Sequence, residues 1–217
     1  MARTVLDPQQ LPIDAIAGEA ALPAERLSAH WLRQRFAAPP DWLAEAGERE
    51  PFAPAVAASV LLPLVRREGG LTLLLTRRTD HLQHHPGQIS FPGGRAEARD
   101  GSPVETALRE TEEEVGLDRR HIDVLGVLPP YATNTGYLVT PVVALITPPF
   151  TLRADPDEVA EIFEVPLAFL MDGMNHQRLS ADLPDGRRSF YAMPYQRFYI
   201  WGATAGMLRN LFHFLRA

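Results

Sequence analysis

Three glutamates, Glu110, Glu113 and Glu114, fall within five consecutive residues. On a helix these spacings crowd like charges, which repel by about 0.2–0.5 kcal/mol per pair. In the last turns of a helix the macrodipole disfavours them further. Arg109 offsets only part of this. Charge alone favours the commonest fate of a Glu run, a solvated acidic face. A hard divalent cation would also resolve the conflict. Mg²⁺ takes oxygen ligands, commonly one or two carboxylates plus substrate phosphates. The chemistry would then centre on a cation held beside phosphate oxygens.

The element that must hold these side chains is bounded by its own residues. Ser102 is an N-cap, Pro103 suits the first helical position, and Glu105 stands three residues after the cap, as in a capping box. Gly116 suits a left-handed stop. The spacing predicts a helix over Pro103–Val115. At about 100° per residue, Val104, Leu108, Thr111 and Val115 share the packing face and the three glutamates fall roughly opposite. Before it, Phe91-Pro92-Gly93-Gly94 reads as a tight turn whose carbonyls could approach a metal, because glycine has no bulk there.

Around this helix, Val56–Val65 and Leu71–Arg77 read as strands joined by Glu68-Gly69-Gly70. Further strands are expected at Ile122–Leu128, Leu138–Ile146, Met174–Leu179 and Ser189–Met193, with helices near Pro166–Met171 and Gly202–Leu215. Mixed strands and helices with several hairpins imply an α/β fold with a mixed sheet flanked by helices. Residues 1–50 read as an N-terminal helical extension and 51–217 as the main domain. Within the extension, Ala24–Phe36 is an expected amphipathic helix, stopped by Ala38-Pro39-Pro40, and Trp42–Ala46 a second short one.

Composition excludes whole classes. The 217 residues carry 46% hydrophobic and 22% charged side chains and a net charge of −6, which argues against a general nucleic-acid binder. There is no cysteine and no lysine, so thiol nucleophiles, disulfides, cysteine–zinc sites, Schiff bases and a P-loop lysine are all excluded. No apolar run of membrane-spanning length and no leader pattern is present, which makes a cytoplasmic location the default expectation.

Arg109-Glu110-Thr111-Glu112-Glu113-Glu114-Val115-Gly116-Leu117 resembles the core of the Nudix box. Thr111 stands at an apolar position, Asp100 replaces the box's early Glu, and the loop to Arg109 is one residue longer than the general pattern. The resemblance implies a Nudix-type α/β/α sandwich that hydrolyses a diphosphate with Mg²⁺ or Mn²⁺. It implies Glu110 and Glu114 as main metal ligands, Glu113 as third ligand or base, and Gly94 as a backbone ligand. Arg109 would orient a carboxylate by a charge-assisted hydrogen bond.

Leu74-Leu75-Thr76-Arg77-Arg78 and the Gly87-to-Gly94 segment resemble the extra signature of the coenzyme A pyrophosphatase branch, with Gln83 and Thr79 as departures. Asp157-Glu158-Val159 and the run from Ile200 to Ala205 resemble its later segments. That branch implies products 3′,5′-ADP and 4′-phosphopantetheine, or its acyl form. Arg77, Arg78 and Arg95 are the phosphate-binding candidates, since arginine offers a fork of donors. His85 and Gln88 complete the substrate-binding set. The histidines could instead suggest zinc, a reading the oxygen-rich neighbourhood disfavours.

Two other functions stay open. One is a Nudix pyrophosphatase for another nucleoside diphosphate derivative, such as ADP-ribose or a dinucleotide. The other is a non-catalytic nucleotide-binding module. The expected partner is a small molecule, with neither nucleic acid nor membrane. The Trp31 helix and the Leu208, Leu211, Phe212, Leu215 stripe could line a homodimer seam, although core packing is the simpler use. Glu158 and Glu161 read first as solvated acids of a turn or short helix, although the Nudix resemblance also offers an acid of a later loop as base or metal ligand, and Trp201 reads as a core residue rather than an adenine stack.

Overall fold

Val56–Arg67 is apolar on both faces, so it must run through the middle of a sheet covered on both sides. In the computed structural model it does. The structure describes residues 7–45, 47, 55–82, 85–183 and 186–217. Gln83, His84, Ala46 and the expected boundary at residue 50 lie outside these. In chain order the elements are β1 (Ile13–Ile16), α1 (Ala29–Ala37), β2 (Val56–Arg67), β3 (Gly70–Arg78), β4 (Ile89–Ser90) and β5 (Gly93–Arg95). Next come α2 (Pro103–Val115), β6 (Ile122–Val127), β7 (Tyr131–Ala132), β8 (Tyr137–Ile146), β9 (Val159–Pro166) and α3 (Leu167–Leu170). The chain ends with β10 (Gln177–Leu183), β11 (Gly186–Tyr195), β12 (Phe198–Trp201) and α4 (Gly202–Arg216).

Among the described residues the strands form two sheets. The larger has the order β4-β3-β2-β8-β6, with β5 on β2, β7 on β8 and β9 on β3. Strands β2 and β8 pair in parallel from Val56↔Tyr137 to Val65↔Ile146, while β3, β5 and β6 pair antiparallel. The sheet is therefore mixed. The smaller sheet runs β1-β10-β11-β12.

Period-2 alternation divides the core into two layers. Leu61 and Val65 of β2, Leu74 of β3 and Val142, Ala144 and Ile146 of β8 pack with Ala107, Val115 and Leu117 around α2. The alternate residues, Leu62, Leu64, Leu73, Leu75, Val143 and Leu145, pack with Leu208, Leu211, Phe212 and Leu215 of α4. The α4 stripe is thus core. This is an α/β/α sandwich. Phe163 of β9 stacks on Phe198 of β12, with centroids 3.5 Å apart, and joins the two sheets. Among the described residues no helix is long and apolar enough to cross a membrane.

Several expectations shift. The extension is not only helical, because β1 pairs with β10. Its main helix is interrupted: Ala24–Leu27 is a 3₁₀ turn, and Ser28 caps a new helix by accepting from the Trp31 N–H at 3.2 Å. Residues 42–45 are irregular rather than helical. The strand expected from Met174 starts at Gln177, because Asp172 caps a 3₁₀ turn over Gly173–Asn175. The segment after Glu158 is the strand β9, since the open edge of β3 takes it as an antiparallel partner. Gly93-Gly94 is a strand against Val60 and Ser59, not a turn.

Leu32 of α1 is fully buried in the α4-side layer. Leu32→Ala should therefore lower the stability of the whole chain by about 2–5 kcal/mol in urea unfolding. A loss below about 0.5 kcal/mol would mean that the extension does not share this core.

Candidate active site

Helix α2 begins and ends as its residues dictate. Ser102 Oγ accepts from the Glu105 N–H at 3.2 Å, and Gly116 adopts φ 67°. The Glu105 carboxylate is taken by Arg119, 3.0 Å away, rather than turned back on the cap. Thr111 occupies its apolar position without strain, because its hydroxyl donates to the Ala107 carbonyl at 2.6 Å. Val104 and Leu108 pack at the margin of the layer, and Ala107, Thr111 and Val115 form its fully buried centre.

Arg109 is the hub of the acidic end. Its side chain is only 9% exposed. Nε donates to Asp100 Oδ1 and Nη2 to Oδ2, both at 2.9 Å, a bidentate pair. Nη2 also donates to the Arg95 carbonyl at 3.1 Å. Nη1 lies 2.8 Å from Glu110 Oε1 and 2.9 Å from Glu113 Oε2. Asp100 accepts further from the Glu97 N–H and the Thr106 hydroxyl. Hydrogen bonding to Arg109 comes first among the causes that hold the Asp100 carboxyl far below its usual range. This is much more than a surface ion pair, and it ties the long loop before α2 to the helix.

The three glutamates do not share one solvated face. Glu113 is half exposed, held by Arg109 and by Arg99 at 3.3 Å. Glu114 turns inward and is 5% exposed. Its Oε2 accepts from the Gly93 N–H at 3.0 Å, and its Oε1 lies 4.0 Å from Arg78 Nη1. Burial pushes its carboxyl up to about 8, the charges of Glu158 and Glu110 add to this, and Gly93 and Arg78 oppose it. Burial likewise raises Glu110, with Glu113 and Glu158 contributing.

Glycine is required at the first position of β5 and makes room at the second. Gly93 has φ 148°, and a Cβ there would strike the Ser59 carbonyl and Val60. A Cβ on Gly94 would lie 2.6 Å from the Glu110 carboxylate. The missing side chains let β5 lie directly on β2 and under α2.

Glu158 enters from the far side. The loop after β8 caps α2, with Arg153 N–H on the Val115 carbonyl and Asp155 N–H on the Glu114 carbonyl, both at 2.8 Å. Glu158 is then fixed by its carbonyl, which accepts from the Thr79 N–H at 3.0 Å. Its approach to Glu110 and Glu114 is set by chain pairing that no local spacing reveals.

Among the described residues, no three His, Asp or Glu side chains are already converged as a cation cage. The donor set nevertheless suits a hard divalent ion. The charge of Glu158 raises the cost of ionising both Glu110 and Glu114, the Glu110 carboxylate lies against the bare backbone of Gly94, and Mg²⁺ needs only one or two carboxylates beside a phosphate.

Arg78 also borders a cavity of about 340 Å³, within the size range of small-molecule sites. Val60, Phe91, Val139, Phe190, Trp201 and Met207 give it apolar walls, and Arg78, His85, Gln88, Asn134 and Arg188 contribute polar groups. His85 Nδ1 and Gln88 Oε1 are 2.8 Å apart. Trp201 is therefore half-buried at a cavity wall, edge-on to Phe190, rather than in the core.

The predicted arginines separate. Arg78 lines this cavity. Arg77, its neighbour in β3, points to the other side, pairs with Asp80 at 3.1 Å and lines a second cavity with Gln88 and Arg197. Arg95 has an exposed side chain, and its carbonyl serves Arg109. Sequence reasoning named neither Arg188 nor the cavity itself.

The sequence model of the NUDIX domain matches residues 54–183. The chain is 42% identical over 154 residues to the uncharacterized Nudix hydrolase NudL of Enterobacter sp. (strain 638), covering 71% of this chain and 80% of that protein. It is 43% identical over 155 residues to the NudL of Escherichia coli (strain K12), with the same coverage. A Nudix hydrolase from M. smegmatis, RenU, aligns over 58% of this chain and 80% of its own at 23% identity, with a TM-score of 0.45.

The raised Glu114 carboxyl makes metal-free stability depend on pH. Between about 4.5 and about 8 the folded chain binds a proton that the unfolded chain has lost. Stability from this group is therefore complete below about 4.5, falls as pH rises through that window and is flat above it. With chelator present, Glu114→Gln should flatten this part of the melting profile and raise the melting temperature at pH 8. Parallel profiles for the two proteins would refute the assignment.

Proposed function

The chain belongs to the Nudix hydrolase family, and on that premise we propose that it cleaves the pyrophosphate bond of coenzyme A or its derivatives. The products are 3′,5′-ADP and 4′-phosphopantetheine, or an acyl-phosphopantetheine. The observation that carries this reading is the junction of two unlike environments at Arg78. On one side stand the buried carboxylates of Glu110 and Glu114. On the other opens an apolar, aromatic-walled cavity suited to the organic arm of a diphosphate diester. The Leu74–Gly94 signature supports the choice of coenzyme A.

Glu110, Glu114 and the Gly94 carbonyl are the groups that would hold Mg²⁺ or Mn²⁺. Such an ion, when bound, neutralises the diphosphate and acidifies a water. Arg78 meets a phosphate oxygen where the diphosphate passes from the carboxylates to the cavity. His85 and Gln88 orient the organic portion from the rim. Water oxygen attacks one phosphorus, the bridging P–O bond breaks, and the second phosphate leaves as an anion. The water's proton passes to a carboxylate of the cluster, Glu113 or Glu114. Arg109 and Asp100 touch no substrate. They hold Glu110 and Glu113 in place, so a lysine, which lacks the planar fork, substitutes poorly.

The deciding assay compares coenzyme A, ADP-ribose and a diadenosine polyphosphate at equal concentration with Mg²⁺ or Mn²⁺, and identifies the products. Coenzyme A should be preferred and should yield 3′,5′-ADP. A clear preference for either other compound would overturn the substrate assignment. Chelator should abolish turnover and added Mg²⁺ should restore it.

Two variants test the roles. Glu114→Gln should lower kcat by at least about a thousandfold with circular dichroism unchanged. Arg109→Lys should lose about 10–100-fold in activity or Mg²⁺ affinity, as expected for a group that orients ligands. Wild-type kinetics in either would remove that residue from the mechanism.

A further inference from the structure

A second charged cluster lies on the far side of α4, away from the carboxylates of α2. Arg209, 4% exposed, projects from the middle of α4 toward residues 7–45. It makes a bidentate pair with Glu19, Nη1 at 3.0 Å from Oε2 and Nη2 on Oε1. Its Nε donates to Glu45 Oε1 at 3.2 Å, and Nη1 lies 3.1 Å from His176 Nδ1. The same Glu45 oxygen accepts from Tyr191 OH at 3.2 Å and sits 2.8 Å from His213 Nε2. The guanidinium carbon stands 5.2 Å from the Tyr191 ring centroid.

An arginine this buried is held only where carboxylates compensate its lost hydration. Both carboxylates come from the N-terminal segment, outside the Nudix-matched residues. The two elements they join to it are the cavity walls. The first turn of α4 lines the cavity through Gly202, Ala203 and Thr204, and β11 lines it through Ser189 and Phe190, next to Tyr191. Thr204 is pinned to the Ile89 carbonyl at 3.0 Å on the opposite wall. Apart from Thr204 and Asn210, the rest of α4's buried face is apolar and packs in the core, and Asn210 holds the Glu45 backbone beside Arg209, its Oδ1 accepting from the Glu45 N–H at 2.8 Å.

We infer that Arg209 is a positioning residue for the substrate cavity: through Glu19 and Glu45 it clamps the N-terminal segment onto α4 and β11 and so sets the spacing between the cavity's walls. The inference rests on the proposed reading for its substrate but not for its geometry. It predicts an effect on binding of the organic arm and not on the chemistry at Glu114, which lies on the other layer of the sandwich.

The test uses the full chain with Mg²⁺ and coenzyme A. Arg209→Met removes the clamp, and Glu45→Gln, which keeps the shape and removes one charge, serves if the first variant folds poorly. KM should rise about tenfold in Arg209→Met, and less in Glu45→Gln, while kcat stays within about twofold, the pattern of lost binding without lost transition-state contacts. Without substrate, amide exchange should speed up in β11 and in the first turn of α4 and stay unchanged in α2. An unchanged KM in the variants that fold, or exchange that quickens uniformly through the core, would assign Arg209 a purely structural role and overturn the inference. A wild-type chain inactive on coenzyme A would instead sink the substrate reading, and the exchange pattern alone would then decide this one.

Discussion

The guanidinium of Arg109 is the constraint on which the site depends. Five donors in a rigid plane meet Asp100 on one edge and Glu110 and Glu113 on the other. That arrangement joins the loop before α2, the helix itself and the Arg95 carbonyl of β5 into one piece. It also sorts the acidic run. Glu110 and Glu113 are paired and oriented by Arg109, while Glu114 is left to the interior, facing the Gly93 N–H and a guanidinium 4.0 Å away. The resulting deficit of positive charge distinguishes this end of α2 from an ordinary solvated acidic face.

The deficit is maintained by the sheet. Strand β5 can approach because Gly93 and Gly94 carry no side chain, and β9 delivers Glu158 because it pairs with the edge of β3. Alternation along β3 then sends Arg78 toward the carboxylates and Arg77 away from them. Arg78 also lines the apolar cavity, so a charged surface and an uncharged one adjoin at this residue.

The N-terminal segment is built into the same architecture. Leu22, Leu27 and Leu32 enter the α4-side core, and β1 extends the smaller sheet. Arg26 and Arg35 cap the carbonyls at the end of α4, while Arg209 in its middle holds Glu19 and Glu45. The contact is held by charge-assisted hydrogen bonds at the end of α4 and by ion pairs in its middle, with apolar packing around them. The segment's position is thus specified more closely than hydrophobic burial alone would specify it.

Helix α2 was legible from its residues because every device that bounds it is local: Ser102 and Gly116 act within one turn of where they stand. The strands β2, β3 and β8 were equally legible, since a two-sided apolar run leaves few alternatives. The same local reasoning placed the three glutamates together on one flank. It could not foresee that Glu114 turns inward, because that depends on the glycines of β5 arriving from elsewhere in the chain. Glu158, Trp201 and Arg188 were obscure for the same reason. A turn-like sequence became β9 only because β3 had an open edge, and a tryptophan became a cavity wall only because β12 packs beside β11. Local propensity determined which segments are helix or strand and which residue types could bind a cation. Long-range pairing, whose partners stand tens of residues apart, decided which carboxylate is buried, which arginine faces it, and where the apolar cavity lies.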